Sequence, residues 1–241
     1  MQKSLVIAIF EFVMLLFSLS FHECAHAWMA SRLGDQTARL EGRVTLNPMY
    51  HIDPFGTLLF PALIIFGPFV GFTLFSGFIV GWAKPTPVIT RNFQKIRRDD
   101  NLTTFAGPVS NLILVVLAFL VLAIVIFTVP DGRTLVMVTY ISMLRGGIMA
   151  LGAASGLQAV VILACLAILI NWSLFFFNLF PIPPLDGSRI IRNLLPYNAV
   201  QAYDRVPIWV SYLLMFFVGG FVLSLFIGPA LMLVYYGLAS L

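Results

Sequence analysis

The chain has 241 residues, of which 60% are hydrophobic and 10% are charged, so it is more apolar than soluble domains, where roughly 45–50% of residues are apolar. This composition excludes an ordinary soluble domain and indicates a polytopic membrane protein. The net charge of +4 comes from few groups that lie mostly between apolar segments. Such charges set membrane topology, so we expect the lipid bilayer as a partner and no nucleic acid.

The first predicted element is an apolar helix from about Leu5 to Leu33, and Gly34 with Asp35 is expected to end it. Glu11 lies on this helix, on the arc that also carries the histidines described next. Glu11 could act as an accessory proton or water relay to them. The simpler interpretation, which we favour, is a carboxylate near the outer interface that reaches water.

His22, Glu23 and His26 form an H-E-x-x-H motif within this apolar helix. Because four residues advance a helix by about one turn, both imidazoles project from nearly the same face and can bind one metal ion. Glu23 then lies close enough to transfer protons. Ionisable side chains are costly in lipid, so such a cluster is functional by default. The motif predicts a zinc hydrolase that works in the membrane or at its edge.

Residues 55 to 82 are apolar but interrupted by glycines and prolines, which disfavours one straight lipid-facing helix. We expect a re-entrant loop between the first two core helices, with a β-hairpin as one form it could take. The following connection is the most basic of the chain and is therefore expected on the cytoplasmic side: Lys84, Arg91, Lys95, Arg97 and Arg98.

Two clear spans are predicted next, at residues 103 to 129 and 157 to 180, and Gly107-Pro108 is expected near the opening of the first. The stretch from 131 to 156 is mixed and receives no assignment. A proline-rich turn ends the second span, and a short polar helix containing Asp186 could follow it. The apolar stretch from Ile208 to Leu238 is either one tilted helix or two short pieces.

These elements predict an all-α polytopic membrane protein with about four to six membrane helices. We expect one domain over residues 1–241, with a core at 1–195 and a C-terminal membrane helix or helices at 206–239. The basic connections place the ends of the first span and of the 157–180 span on the cytoplasmic side of the cell membrane. His22, His26 and Asp186 would then share one leaflet, and the active site would face the cytoplasm.

A catalytic zinc site usually has three protein ligands and one open position, so a third ligand is needed. The candidates are Asp186, His51, Glu11 and Asp53. Asp186 is favoured because it follows a span that ends at the right depth and a rigid proline-rich turn. His51 is as good a ligand chemically, but a loop histidine with a local hydrogen bond is the simpler interpretation, and Asp53 could bond local backbone.

Three motifs together resemble the site-2 protease family of intramembrane zinc metalloproteases, peptidase family M50, and the resemblance covers residues 20 to 190. They are the motif at 22–26, Ala106-Gly107-Pro108 through Asn111, and the run from Asn178 to Gly187. Residues 34–57 look like the compact prokaryotic branch of that family, and we expect no PDZ or CBS domain. The resemblance implies that Asp186 is the third ligand. It also implies that Asn178 and Asn111 position substrate or stabilise the oxyanion, and that the re-entrant loop is β-like.

We therefore expect an intramembrane zinc endopeptidase with one Zn2+ per chain, cutting in or near transmembrane segments of membrane proteins, in regulated intramembrane proteolysis. Glu23 would be the general base. A divalent-metal transporter with His22, His26 and Asp186 as a transit site is the main alternative. A non-catalytic relative that binds membrane helices is the third. The substrate and the oligomeric state stay open.

Overall fold

The computed structural model describes residues 5–72, 82–146 and 155–241, and within these ranges every regular element is helical. The α-helices are α1 (Leu5–Arg32), α2 (Thr37–Leu40), α3 (Phe60–Phe66), α4 (Ile96–Thr128), α5 (Gly132–Leu144), α6 (Gly156–Asn178), α7 (Asp186–Leu194), α8 (Tyr197–Asp204) and α9 (Ile208–Ala239). Short 3-10 or π-helical turns occur at Pro48–Tyr50, Pro54–Leu59, Gly67–Val70 and Thr90–Asn92.

Among the described residues, α1, α4 and α6 are long and apolar enough to cross a membrane, with 28, 33 and 23 residues. Helix α9 has 32 residues, more than the roughly 20 that a bilayer requires. The predicted all-α membrane architecture is thus confirmed. Three described helices meet both criteria, so the expected number of about four to six membrane helices stays a prediction.

Helix α4 packs between α1 and α6 and forms the centre of the structure. The start of α4 meets the end of α1, where His26 contacts Thr103. Ser18 of α1 contacts Asn171 of α6, and further along both helices the end of α1 meets the residues that follow α6. Helices α1 and α6 therefore run in the same direction and α4 runs against both. The ends of α1 and α6 and the start of α4 lie together.

The other end of the bundle is closed by an apolar cluster from α1, α4, α5, α6 and α9, whose largest fully buried members include Ile7, Leu122, Val136, Tyr140, Ile162, Leu166, Ile168 and Leu238. Tyr140 donates a hydrogen bond to the Leu231 carbonyl at 2.9 Å. This cluster packs the five helices together at the end of the bundle away from the two histidines.

The start of α4 differs from the sequence-based expectation, and the structure decides two stretches that the sequence left open. Helix α4 begins at Ile96, so Gly107 and Pro108 lie inside the helix rather than at its opening. A membrane helix tolerates an internal proline because neighbouring helices pack around the freed backbone group. The unassigned stretch after residue 131 contains α5, while residues 147–154 lie outside the described residues. Helix α9 is continuous, with Pro229 inside it.

The described part of the expected re-entrant segment is helical up to Val70. Its first turn starts at Pro54 and is capped by Asp53, whose carboxylate accepts hydrogen bonds from the backbone N–H groups of Phe55 at 3.0 Å and Gly56 at 2.7 Å. A proline after an aspartate is a favourable helix start for this reason. Residues 73–81, on which the predicted re-entrant turn and the β-hairpin alternative depend, lie outside the described residues.

Candidate metal centre

Two histidines one turn apart on α1 form the first half of the site. His22 and His26 are both buried, and their Nε2 atoms lie 3.0 Å apart. The rings meet edge to face, with 4.6 Å between their centroids. As the helical spacing predicts, both imidazoles project into the same space between α1 and α4.

Asp186, the first residue of α7, supplies the second half of the site. Its Oδ2 atom lies 3.2 Å from Nε2 of His22 and 3.3 Å from Nε2 of His26. Gly187 permits this placement, because a Cβ atom there would overlap the carbonyl group of Leu179. The structure thus brings Asp186 to the two histidines from a distant part of the chain.

Helix α7 is itself tied to the start of α4. Arg189 donates a hydrogen bond to Asp100 at 2.8 Å, and Asn193 donates to the other oxygen of that carboxylate at 2.6 Å. The Asp100 side chain is buried, so both of its oxygens are used within the protein. These contacts hold α7, which begins with Asp186, against the start of α4, the helix that packs on the histidines.

The geometry of this cluster suits a tetrahedral metal ion. Its three sides measure 3.0, 3.2 and 3.3 Å, close to the ligand separation of about 3.3 Å that follows from zinc–ligand bonds of about 2.0–2.1 Å. Within the described part of the chain, Oδ2 of Asp186 is buried without a hydrogen-bond donor. Two imidazoles and one carboxylate leave a fourth position free, as catalytic zinc sites do. The residues present therefore fit a zinc ion.

Both histidines are also contacted on their other ring nitrogen by α4. Nδ1 of His26 lies 2.8 Å from the carbonyl oxygen of Thr103, which can only accept a hydrogen bond. That contact places the proton on Nδ1 and leaves the lone pair of Nε2 directed at the cluster. Nδ1 of His22 lies 3.2 Å from Nδ2 of Asn111, a fully buried side chain.

Gly107 is what allows α4 to approach the site so closely. A Cβ atom at this position would overlap Nε2 of His26 and would lie 2.6 Å from Cε1 of His22. The absence of a side chain at this position is therefore required by the site and not by a turn. The sequence shows the motif around Gly107. It does not show that Gly107 lets α4 approach the two histidines, because that depends on how two helices pack.

Glu23 is held by a segment that no sequence pattern connects with the site. The backbone N–H of Thr86 donates to Oε2 of Glu23 at 3.0 Å, and the Thr86 hydroxyl donates to the same oxygen at 2.7 Å. Pro85 and Pro87 flank Thr86, and a residue before proline favours an extended backbone. These prolines are the sequence signal for an extended stretch, but nothing in them indicates contact with Glu23.

The extended segment at residues 82–89 is anchored at both sides of Thr86. The backbone N–H of Lys84 donates to the His51 carbonyl at 2.9 Å, and that of Ile89 donates to Oδ2 of Asp35 at 2.7 Å. Burial raises the pKa of Asp35, but hydrogen bonds, chiefly from Thr37 and Ile89, outweigh it and hold this pKa below its usual value. Asp35 is therefore a charged anchor between the end of α1 and this segment.

The turn after α1 prepares this anchor. Gly34 has a φ of +113°, and the backbone N–H of Asp35 donates to the carbonyl of Ala30 at 3.0 Å. A left-handed glycine followed by such a bond closes a helix in the Schellman manner. The predicted helix stop at Gly34-Asp35 is thus confirmed, and it also directs the Asp35 carboxylate.

The remaining predicted site residues make other contacts. Asn178 donates to the Leu174 carbonyl of its own helix at 3.0 Å. His51 is buried and its Nε2 lies 2.8 Å from the Thr45 carbonyl. Glu11 lies about 16 Å from His22 along the axis of α1, at 1.5 Å per residue. Asp53 caps a helical turn. The structure thus groups His22, His26 and Asp186, with Asn111 against His22. Thr86 contacts Glu23, and the roles of Asn178, His51 and Glu11 stay predictions.

The chain is similar to a family of peptidases and to proteins named as zinc metalloproteases. The sequence profile described as Peptidase family M50 matches residues 10–221. "Putative zinc metalloprotease YwhC" of Bacillus subtilis (strain 168) is 40% identical over 184 residues, covering 76% of this chain and 68% of that protein. "Putative zinc metalloprotease Rip2" of Mycolicibacterium smegmatis is 35% identical over 102 residues, covering 42% of this chain and 35% of that protein.

No solved structure gives a significant match to the chain. The family profile covers most of the 241 residues, and the similar proteins carry the names of zinc metalloproteases. These similarities support a metalloprotease with zinc as its metal, and they confirm the family resemblance drawn from the sequence motifs. The chain belongs to peptidase family M50.

Proposed function

We propose that this protein is an intramembrane zinc endopeptidase that hydrolyses peptide bonds in or near transmembrane segments of membrane proteins. The observation that carries the proposal is the convergence of His22, His26 and Asp186 within 3.3 Å of one another, between helices long enough to span a bilayer. Such a cluster is costly in lipid and is retained where it performs chemistry. One zinc ion per chain would occupy it.

Each group of the site has a separate task. His22, His26 and Asp186 would hold the zinc ion, which would supply Lewis acidity to lower the pKa of water to about 7 and to polarise a carbonyl group. Glu23 takes the proton from the attacking water and passes it to the nitrogen of the leaving peptide. Thr86 orients the Glu23 carboxylate through its two hydrogen bonds.

The depth of the cluster supports a substrate that lies in the membrane. Along the axis of α1, His22 and His26 lie about 15 Å and 9 Å from Arg32, at 1.5 Å per residue. A peptide bond in a membrane helix is shielded by its own hydrogen bonds, so the substrate must unwind locally before cleavage. The proposed substrate is therefore a transmembrane segment cut inside the membrane, within the half of the roughly 30 Å core in which α1 ends.

The charge distribution supports a cytoplasmic orientation of the site. Most basic residues follow α1, precede α4 or follow α6, and these three places lie at the end of the bundle that carries the cluster. Lys and Arg concentrate in cytoplasmic loops of membrane proteins. We therefore propose that the protein lies in the cell membrane with its active site toward the cytoplasm. Cleavage there would release cytoplasmic parts of substrates, as in regulated intramembrane proteolysis.

The deciding experiment compares Glu23→Gln with wild type on a model transmembrane substrate in detergent or liposomes. We expect Glu23→Gln to keep one zinc per chain and to lose at least about 100-fold in cleavage rate, because general base catalysis contributes about 10²–10⁴-fold. Glu41→Gln, at an exposed position, is the matched control and should cleave normally. Cleavage retained by Glu23→Gln would refute the role of Glu23 as the general base. Zinc transport into liposomes without cleavage by wild type would refute the endopeptidase function itself.

A further inference from the structure

Asn111 of α4 faces His22 from the side opposite the cluster. Its contact with Nδ1 of His22 bears on which ring nitrogen of His22 carries the proton. Its side chain is completely buried, and its Nδ2 lies 3.2 Å from Nδ1 of His22. Its Oδ1 atom is buried as well, and no described residue donates a hydrogen bond to it. A buried amide oxygen without a donor costs free energy. The opposite orientation of the Asn111 amide, which would give this oxygen a donor, must therefore be considered.

The two orientations of the amide group differ in the hydrogen bond that they make with His22. An Asn side chain rotated by 180° exchanges its oxygen and nitrogen with almost no change in shape. With Nδ2 toward His22, the amide donates, so Nδ1 of His22 must carry the lone pair and Nε2 the proton. That proton would point at Oδ2 of Asp186, 3.2 Å away, and would exclude a metal ion. With Oδ1 toward His22, the imidazole Nδ1–H donates and Nε2 is free.

His26 indicates which orientation the metal site requires. Its Nδ1 faces the Thr103 carbonyl, which only accepts, so its Nε2 lone pair already faces the cluster. Thr103 and Asn111 both belong to α4, and Gly107 between them allows the close approach of this helix. One helix can therefore provide an acceptor for each of the two histidines.

We infer that Asn111 is a positioning residue whose Oδ1 accepts the Nδ1–H of His22 and so fixes the tautomer in which Nε2 can bind the metal. The inference rests on the proposed zinc peptidase function. It gives Asn111 a role behind the metal ligand instead of the substrate or oxyanion contact that the family resemblance implies. Because the side chain is fully buried against a ligand ring, the tautomer role accounts for its position and gives its oxygen a hydrogen-bond donor.

The test measures zinc affinity rather than proteolysis alone. Full-length protein in detergent is depleted of metal, and its affinity is measured by competition with a chromogenic chelator for wild type, Asn111→Ala and Asn111→Asp. We expect Asn111→Ala to bind zinc about 10–100-fold more weakly, the usual effect of losing such a partner. Asn111→Asp should recover most of this loss, because a carboxylate can accept the Nδ1–H but cannot donate.

Asn171→Ala is the matched control. Asn171 is also a buried asparagine, on α6, but its Nδ2 contacts Ser18 at 3.0 Å and Ala167 at 2.8 Å and no metal ligand. We expect its zinc affinity to equal that of wild type. Thermal unfolding of the metal-free proteins identifies any variant that fails to fold. Should Asn111→Ala fail, the nearly isosteric Asn111→Asp decides alone, since a donor role predicts loss of zinc binding in it.

The outcomes separate this inference from the proposed function. Wild-type zinc affinity in Asn111→Ala, with a lower kcat, would overturn the tautomer role in favour of a substrate or oxyanion contact. Asn111→Asp binding zinc more weakly than Asn111→Ala would also overturn it. Wild-type protein that binds no zinc would instead refute the proposed function itself.

Discussion

The two ends of the helical bundle are held together by different kinds of contact. At the end that carries the metal cluster, individual hydrogen bonds hold polar side chains in place, as in the contacts of Thr86 with Glu23 and of Arg189 with Asp100. At the opposite end, an apolar cluster that includes Leu122 and Val136 packs five helices with few hydrogen bonds. The first end therefore depends on the exact position of single atoms, and the second on the volume that its side chains fill.

This difference teaches which property each end controls. A hydrogen-bonded cluster loses its chemistry when one partner moves, while the packed helices around it still associate. When side-chain volume is removed from an apolar cluster, the free energy of unfolding falls in proportion. The geometry of a site at the other end changes little. Substitutions at the cluster end should thus change metal binding or rate, and those at the apolar end should change the free energy of unfolding.

The largest effect is expected from Gly107→Ala. The added methyl group overlaps the imidazole of His26, so the ligands must separate, and zinc affinity should fall by more than about 100-fold. Alanine favours a helix by about 1 kcal/mol over glycine, so α4 itself should not weaken. Zinc content and chelator competition measure the effect.

The control for this substitution is Gly156→Ala, at the first residue of α6, where an added Cβ atom meets nothing within 4 Å. It should bind zinc normally. Normal zinc binding by Gly107→Ala would show that α4 does not approach the ligands as closely as the structure has it.

The next largest effect is expected from Leu122→Ala in the apolar cluster. Leu122 is fully buried, and truncating a buried leucine costs about 2–5 kcal/mol because neighbouring atoms lose their packing partners. Unfolding in mixed detergent micelles measures this loss, and the zinc affinity of the folded protein should stay unchanged. Leu120→Ala, at a side chain 49% exposed on the same helix, should be nearly neutral. A change in zinc affinity in Leu122→Ala would break the division between the two ends.

The smallest of these effects is expected from Thr86→Val. Valine keeps the shape and the backbone N–H but removes the hydroxyl hydrogen bond to Glu23. We expect kcat to fall about tenfold, which corresponds to about 1.4 kcal/mol, with zinc content and KM little changed. Thr86→Ser, which keeps the hydroxyl, should restore most of the rate. Equal kcat values for Thr86→Val and wild type would contradict a positioning role for this hydroxyl.

The main features of the fold could be predicted because the membrane imposes them. Apolar length indicates spans, and Gly34-Asp35 and the prolines after residue 180 mark helix ends. The start of α4 was predicted too late, because its first turns carry charged residues such as Asp99 and Asp100 that pair outside the span. Local composition describes the lipid-facing part of a helix and not its polar extension.

The candidate site could be predicted only in part for a similar reason. His22, Glu23 and His26 lie within one turn, so helix geometry alone groups them. Asp186 required the proline-rich motif and a topology argument. Thr86 contacts Glu23 across 63 residues of sequence, and Gly107 meets His26 only because two helices pack. Periodicity cannot indicate such contacts, since they arise from tertiary packing.

The two prolines beside Thr86 limit how this stretch can pair with another chain. Proline has no backbone N–H, so residues 85–87 contain a single amide hydrogen, and Glu23 already takes it. This edge can therefore offer carbonyl oxygens to an incoming polypeptide but no amide donor. If the proposed substrate lies unwound along residues 85–87, its carbonyl groups must find hydrogen-bond donors elsewhere. The carbonyl group of the bond to be cleaved is then not bound by this segment.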